Sequence, residues 1–419
     1  MAKRGLFAIL AVIVLGSSAT GWSNPTLDSL IERALTANPD IQALEYRHRA
    51  ADYRAGAAGT LPDPQLTFSA MNLPKSSLSL GETPMSSYGI GVSQKIPWPG
   101  KLGAENDVAE RETEIARLNV ESSRDRIVRL VAEAYYDYAY WSLADGIINE
   151  NLAITRALTE ATETRYANGL GSAQDVLRVQ TMASRLENRR EEVQQMIRSA
   201  LLRIGRLTDN PATADAQLAV ELPSQRPPAF EPQERKINNP ELLRAAAEIS
   251  HRESRVDLAR SSYWPDFHIG LEYKIRERIP MDPVDGEDFV SAMVGVSLPL
   301  WFFAKNDNQT RAAEQSVRAA ESRERALRLD ITQQIEDIDL QLERIGASLD
   351  RYDTAIVPQA QAAYDAAQVA YEVGKVDFNG LLAAQIDLFD IRLEELRLRR
   401  DYQHARVRLS ELLGSIQER

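Results

Sequence analysis

The chain repeats itself, and that constrains its fold more than any local pattern does. Tyr166-Ala-Asn-Gly-Leu-Gly-Ser-Ala-Gln-Asp-Val-Leu-Arg-Val-Gln180 returns as Tyr371-Glu-Val-Gly-Lys-Val-Asp-Phe-Asn-Gly-Leu-Leu-Ala-Ala-Gln385, with Tyr, Gly, Leu and Gln on their counterparts. Asn38-Pro39 pairs with Asn239-Pro240, Leu61-Pro62-Asp63 with Trp264-Pro265-Asp266, and Val92-Ser93 through Lys101 with Val296-Ser297 through Lys305. The order is the same in both halves. A unit of roughly 200 residues duplicated in tandem decides an architecture before propensities are consulted. The boundaries read as a first repeat over 24–208, a connector over 209–238, a second repeat over 239–414 and a tail over 415–419.

The N-terminus reads as a secretory signal peptide over 1–23. Lys3-Arg4 is the basic region, Leu6 to Leu15 the apolar one, and small residues follow from Ser17 to Ser23. Ten apolar residues fall short of the roughly 20 that a membrane-spanning helix needs. Beyond them no long apolar run occurs, so any membrane crossing has to be made by strands.

Each repeat supplies two candidate strands with period-2 alternation. They are predicted near 64–72, 87–97, 266–276 and 289–299. Leu66, Phe68 and Ala70 alternate with Gln65, Thr67 and Ser69; Tyr88, Ile90, Val92 and Ile96 alternate with Gly89, Gly91, Ser93 and Lys95. In the second repeat Phe267, Ile269, Leu271, Tyr273 and Ile275 are interleaved with His268, Gly270, Glu272 and Lys274. Val290, Ala292, Val294, Val296 and Leu298 are interleaved with Ser291, Met293, Gly295 and Ser297. Two structures accommodate such strands, a half-buried hairpin on helices or a lipid-facing barrel. Glu272, Lys274, Lys95 and the glycines of the second face suit a water-filled lumen. The polar, Pro- and Gly-rich segments 74–86 and 276–287 suit the outer loops.

The rest is helical. No proline interrupts 101–168, and Ile127, Leu130, Val131, Ala134, Tyr135, Tyr138 and Trp141 recur at three and four. Such a helix is about 100 Å long at 1.5 Å per residue. A return helix is predicted over about 172–206, and the second repeat follows with about 305–373 and 376–413. Pro358 should kink the outgoing helix or end a segment of it. Dense charge such as 185–192 and 394–401 reads as a solvated face with i,i+4 pairs. The hairpins turn at Gly169 and Gly374.

Catalysis finds no motif. Gly169-Leu-Gly-Ser joins two helices and follows no strand, so it is not a dinucleotide loop. His48, His251, His268 and His404 are scattered and predict no metal site; no cofactor is expected. The absence of cysteine excludes disulfides, thiolate sites, a thiol nucleophile and a lipidated N-terminal Cys. A net charge of −12 argues against nucleic acid, which selects a basic surface.

Four strands leave two open edges, and unpaired backbone groups are not tolerated in lipid. Other copies of the chain have to complete the barrel. The duplicated strand-strand-helix-helix layout, Gln94-Lys-Ile-Pro-Trp-Pro-Gly-Lys101, Val357-Pro-Gln-Ala-Gln-Ala-Ala363 and the Gly-tipped hairpins resemble the TolC family of outer-membrane efflux proteins. The wording Trp98-Pro-Gly-Lys101 looks most like the branch serving heavy-metal and related resistance-nodulation-division pumps.

That resemblance implies a mainly α chain with a transmembrane β-barrel portion. Three protomers would give a twelve-stranded barrel in outer-membrane lipid and a long periplasmic coiled-coil tunnel. It implies a homotrimer in a Gram-negative outer membrane, a passive gated duct that docks a periplasmic adaptor (membrane fusion protein) and an inner-membrane efflux pump. The docking tips would be Gly169, Leu170, Gly171 and Ser172 with Gly374, Lys375 and Val376. A gate would use Tyr371 linked to Asp175. The family prototype's tip arginine falls on Val376, where Lys375 is a neighbouring substitute, and its aperture aspartates fall on Gly380 and Ala383; Asp377 is a replacement candidate. Plainer roles stand beside these: helix-stop glycines, a packed Tyr371, and Asp175 as a first-turn acid. Two other functions stay open, the outer component of a type I protein secretion system and a soluble periplasmic coiled-coil adaptor. A single hairpin flanked by small barrel domains would mark the latter.

Overall fold

The computed structural model describes residues 25–83, 85–223, 237–279 and 286–414. The expected signal peptide (1–23) and the 415–419 tail lie outside the described residues, as do much of the expected connector (224–236) and part of the 276–287 loop. The elements in order are α1 (Leu27–Ala37), α2 (Pro39–Ala58), β1 (Gln65–Met71), β2 (Ser87–Ile96), α3 (Lys101–Ala167) and α4 (Ala173–Leu207). A 3-10 turn at Pro211–Asp215 follows, then α5 (Pro240–Ser261), β3 (Asp266–Ile275), β4 (Phe289–Ser297), α6 (Asn306–Arg351), α7 (Val357–Glu372) and α8 (Phe378–Leu413).

Three of these helices, α1, α2 and α5, were not anticipated from the alternation and the long periodic runs. Their starts are written in the repeated Asn-Pro dipeptide. Asn38 Oδ1 accepts the backbone N–H groups of Asp40 (2.9 Å) and Ile41 (3.3 Å), and Pro39 occupies the first helical position, where no N–H is required. Asn239 does the same for Glu241 (2.8 Å) and Leu242 (3.3 Å) ahead of α5. Both asparagines also donate from Nδ2 to the last turn of the returning helix, Asn38 to the Leu207 carbonyl (2.8 Å) and Asn239 to that of Leu412 (3.1 Å). Each cap therefore locks the entry of one half to its exit.

Around these locks sit the cores. Leu30 and Ala34 of α1, Ile41 of α2, Ile127, Val131, Ala134 and Tyr135 of α3, and Leu201, Ile204 and Leu207 of α4 are buried together. The matching cluster of the second half joins Leu242, Ile331, Ile335, Leu409 and Leu413. Ion pairs bind one half to the other, such as Arg129 of α3 with Glu411 of α8 (2.5 Å) and Arg408 with Glu133 (2.9 Å).

α3 runs unbroken for 67 residues, whereas its counterpart is interrupted. Between α6 and α7, residues 352–356 form a π turn in which the Val357 N–H reaches back to the Tyr352 carbonyl. Pro358 is the reason. Its ring would strike the Thr354 carbonyl in a regular helix and it has no N–H to offer, so the turn widens ahead of it.

The four strands form one antiparallel sheet in the order β1-β2-β3-β4. The register keeps the alternation intact across all four. Leu66 faces Val92, Val92 faces Leu271, and Leu271 faces Ala292; on the other surface Gly91 faces Glu272, and Glu272 faces Ser291. The central pair β2–β3 is the seam between the two halves, and β1 and β4 are the outer strands. No described helix is long and apolar enough to cross a membrane.

Candidate functional site

Three surfaces are candidates for function: the sheet, its passage into the helices, and the far tips of the hairpins. One face of the sheet is apolar and open, with Phe68 74% and Val294 76% exposed. That is the reverse of a half-buried hairpin, which would lay this face on helices. The opposite face is a polar lattice. Ser69 donates to Glu272 Oε1 (2.6 Å), and the Lys274 ammonium lies 3.4 Å from the same carboxylate. Glycine at 89 and at 91 leaves room here: a Cβ at 89 would come within 2.5 Å of the Glu272 carboxylate as it lies, and one at 91 within a tight 3.3 Å of the Leu271 carbonyl. The two glycines let the acidic side chain lie across the neighbouring strand.

Strand passes to helix at a cluster built from both halves. The Trp98 indole stacks on Trp264 with centroids 4.8 Å apart and also meets Phe267. Asp266, buried beside them, accepts the backbone N–H of Trp98 (3.2 Å) and pairs with Lys95 (3.0 Å) and Lys101 (3.2 Å). Gly100 at φ 94° then starts α3. The Gln94–Lys101 segment is thus the seat of the Trp264-Pro265-Asp266 segment.

At the far end the two tips share one geometry. The Gly169 N–H bonds to the Tyr166 carbonyl (3.0 Å) and the Leu170 N–H to that of Arg165 (2.8 Å). Gly374 and Lys375 bond in the same way to Tyr371 (3.0 Å) and Ala370 (2.8 Å). Both glycines are left-handed, at φ 71° and 72°, as helix C-caps of this type require. Ser172 then caps α4 through the Asp175 N–H (3.2 Å), and Asp377 caps α8 through that of Gly380 (2.9 Å). Gly169, Leu170, Gly171, Ser172, Gly374 and Lys375 are exposed and Val376 is half-buried.

The gate residues are placed differently from the expected link. Tyr371 packs beside the buried Val179, Phe378 and Leu382, and the Arg165 guanidinium sits 5.4 Å over its ring. No hydrogen bond joins Tyr371 to Asp175 in the protomer. Arg178 of α4 donates to Asn379 of α8. Above this contact, α4 and α8 diverge into a groove of about 790 Å³, with Met182, Leu186, Leu382, Ile386 and Phe389 inside and Arg185 and Arg189 on its rim. Periodicity did not reveal the pairing of Arg165 with Tyr371. Ala383 lines this groove.

Comparison with known proteins decides the setting. The outer membrane efflux protein family matches residues 30–209 and 232–415. The chain belongs to this family. It is an outer-membrane efflux component with a large periplasmic helical part, and its work is transport, not catalysis. The soluble-adaptor alternative falls with that assignment. Along 393 residues it is 24% identical to the cobalt-zinc-cadmium resistance protein CzcC of Cupriavidus metallidurans, covering 93% of this chain and 90% of the relative. Two solved structures share the fold. VceC of Vibrio cholerae superposes with a TM-score of 0.76 at 20% identity, over 93% of this chain and 96% of that one. The CmeC outer membrane channel of Campylobacter jejuni gives 0.78 at 12% identity, over 99% and 94%.

Proposed function

We propose that three copies of the chain close a twelve-stranded barrel and a helical tunnel. That assembly is the passive exit duct of a tripartite pump, with the tips docking a periplasmic adaptor that connects to an inner-membrane transporter. The observation that carries this reading is the sheet. Four paired strands with an exposed apolar face, a polar opposite face and two free edges cannot sit in lipid alone, because each unpaired backbone group there costs several kcal/mol. Closure by identical neighbours removes both edges together. An efflux conduit fits better than a type I secretion outlet, given the match to CzcC along nearly its whole length.

In this reading the exposed turns at Gly169 and Gly374 meet the adaptor, and the adjoining groove receives part of it. The tips give the test. A Cβ at either glycine would meet nothing within 4 Å, so a substitution there acts through the backbone alone. Valine at a left-handed position costs about 1–2 kcal/mol, and asparagine adopts it readily. Gly169→Val and Gly374→Val should therefore leave trimers in the outer-membrane fraction while weakening adaptor capture and export; the asparagine variants should keep both. Wild-type adaptor binding by both valine variants would remove the tips from the docking surface, and a monomeric protein would remove the barrel.

A further inference from the structure

The seam between the two halves is a junction whose two parts recur, unpartnered in the protomer, at the outer edges of the sheet. Inside one protomer, the segment that opens β3 is held by the passage that ends β2. Trp264 lies on Trp98, and Asp266 is clamped by Lys95 and Lys101. The segment that opens β1 is its repeat, Leu61-Pro62-Asp63. Here Leu61 is 52% exposed, and the Asp63 side chain is exposed with no hydrogen bond or ion pair among the described residues. The passage that ends β4 is likewise the repeat of the clamp, and it is empty-handed. Leu298, Leu300, Trp301 and Phe303 are between 65% and 76% exposed, and Lys305, the counterpart of Lys101, is exposed beside them. One half-junction stands free at each outer edge of the sheet, and their charges are opposite.

We propose that the β4–α6 passage of one protomer is the socket for the Leu61-Pro62-Asp63 segment of a second copy. Asp63 pairs with Lys305, Leu61 covers the Trp301–Phe303 surface, and β4 lies against β1 in the register that β2 keeps against β3. This rests on the closed-ring assembly proposed above and specifies how it is made.

The register follows from the repeat. Within the chain, Gln94 faces Ile269, Val92 faces Leu271 and Ile90 faces Tyr273. Carrying β2 onto β4 and β3 onto β1 sets Leu298 opposite Leu66, Val296 opposite Phe68 and Val294 opposite Ala70. Apolar meets apolar at every step, and on the lumen face Ser297 meets Thr67. A slip of one residue would turn each apolar side chain of one strand into the lumen. The joint is heterologous, tail of one copy to head of the next, the contact type that a closed ring of identical copies repeats. It also differs from its internal relative in one respect. Lys95 has Pro299 as its counterpart, so a single lysine holds Asp63 where two hold Asp266. The joint between copies is the more easily opened of the two.

The chain contains no cysteine, which makes the register directly readable in the full-length protein. Residues facing one another across antiparallel strands have Cβ atoms about 4.5–5.5 Å apart, close enough for a disulfide after a small adjustment. Thr67→Cys combined with Ser297→Cys should, on oxidation in membranes, give covalently linked copies up to a trimer. Thr67→Cys combined with Met293→Cys, displaced by four residues or about 13 Å along the strand, should not. Trimers that link only through the second pair, or equally through both, would overturn the register. A protein that is monomeric before oxidation would overturn the ring as well.

The ion pair is tested by exchange. Asp63→Lys and Lys305→Asp should each lower the temperature at which the trimer dissociates, and the doubly reversed protein should recover it. Lys305 is the N-cap residue of α6, where an acidic side chain suits the helix dipole. A loss with Lys305→Asp therefore reports the joint and not the helix. A double variant no more stable than the weaker single one would show that these two side chains do not meet.

Discussion

Asn38 is 1% and Asn239 5% exposed, and each side chain serves two helices at once. The amide oxygen caps the helix that begins, and the amide nitrogen holds a carbonyl of the helix that ends. Aspartate separates these roles because it keeps the acceptor and loses the donor. If capping were the whole contribution, Asn38→Asp would be nearly neutral. The Leu207 carbonyl instead faces a carboxylate oxygen in a buried site, and an unmet buried group costs about 1–3 kcal/mol. Asn38→Ala loses the cap too, worth about 1 kcal/mol. Both variants should lower the midpoint of thermal unfolding by several degrees, at roughly 2–4 °C per kcal/mol. An Asn38→Asp protein that melts like the native one would reduce the lock to a cap. Position by position, the sequence displayed these asparagines in its repeated Asn-Pro pairs. It did not display their second bond, which reaches 169 residues along the chain.

Among the elements, legibility followed periodicity. The strands and long helices carry strong patterns and fall within a few residues of their expected bounds. α2 carries a weak one. Tyr46, Arg47, His48, Arg49, Asp52, Tyr53 and Arg54 surround it with polar groups, and only Ile41, Ala51 and Ala55 are buried, so small residues make its packing against α3. The long helices also hide a titratable contact, between the outgoing α3 and the returning α8. The His404 ring of α8 lies 3.4 Å from Asp137 and 3.2 Å from the Glu133 carbonyl of α3. Burial, partly opposed by Asp137 and Glu133, holds its pKa below the ordinary histidine range. Burial does the same to His251 of α5. A depressed pKa means that the unfolded chain takes the proton first. The stability that the neutral rings contribute is thus complete above about 6.5, the unfolded value, and is lost as pH falls through the folded one. Glu411 runs the other way, because burial raises its pKa despite Arg129. The midpoint of thermal unfolding should fall as pH is lowered from about 7.5 towards 5. Combining His404→Gln with His251→Leu should flatten that slope, and an unchanged slope would assign it to other groups.

At the scale of the whole channel, the proposed reading makes the tip both a docking surface and the narrowest part of the duct. The family resemblance offered Tyr371, Asp175 and Asp377 for closure. The protomer gives them separate tasks: Asp377 caps α8, Asp175 lies in the first turn of α4, and Tyr371 sits beneath Arg165 and against Phe378. Such contacts depend on which helices are neighbours, which no local pattern records. Beside the Arg178–Asn379 bond and the Val179–Phe378–Leu382 packing, Tyr371 joins the two hairpins through its ring and not through a hydroxyl bond to Asp175. A cation–π contact at an exposed site contributes about 0.5–1 kcal/mol, and in the proposed trimer threefold repetition would multiply it into a sizeable bias towards closure. The ring and the hydroxyl are distinguished by two substitutions. Tyr371→Phe keeps the aromatic face and should leave single-channel conductance in planar bilayers near the native level. Tyr371→Ala removes the face and should raise it, as should Arg165→Ala to a smaller degree, with the two together adding little to Tyr371→Ala alone. Conductance that rises as much with phenylalanine as with alanine would return the latch to the hydroxyl, with its acceptor on Asp175 or on a neighbouring copy.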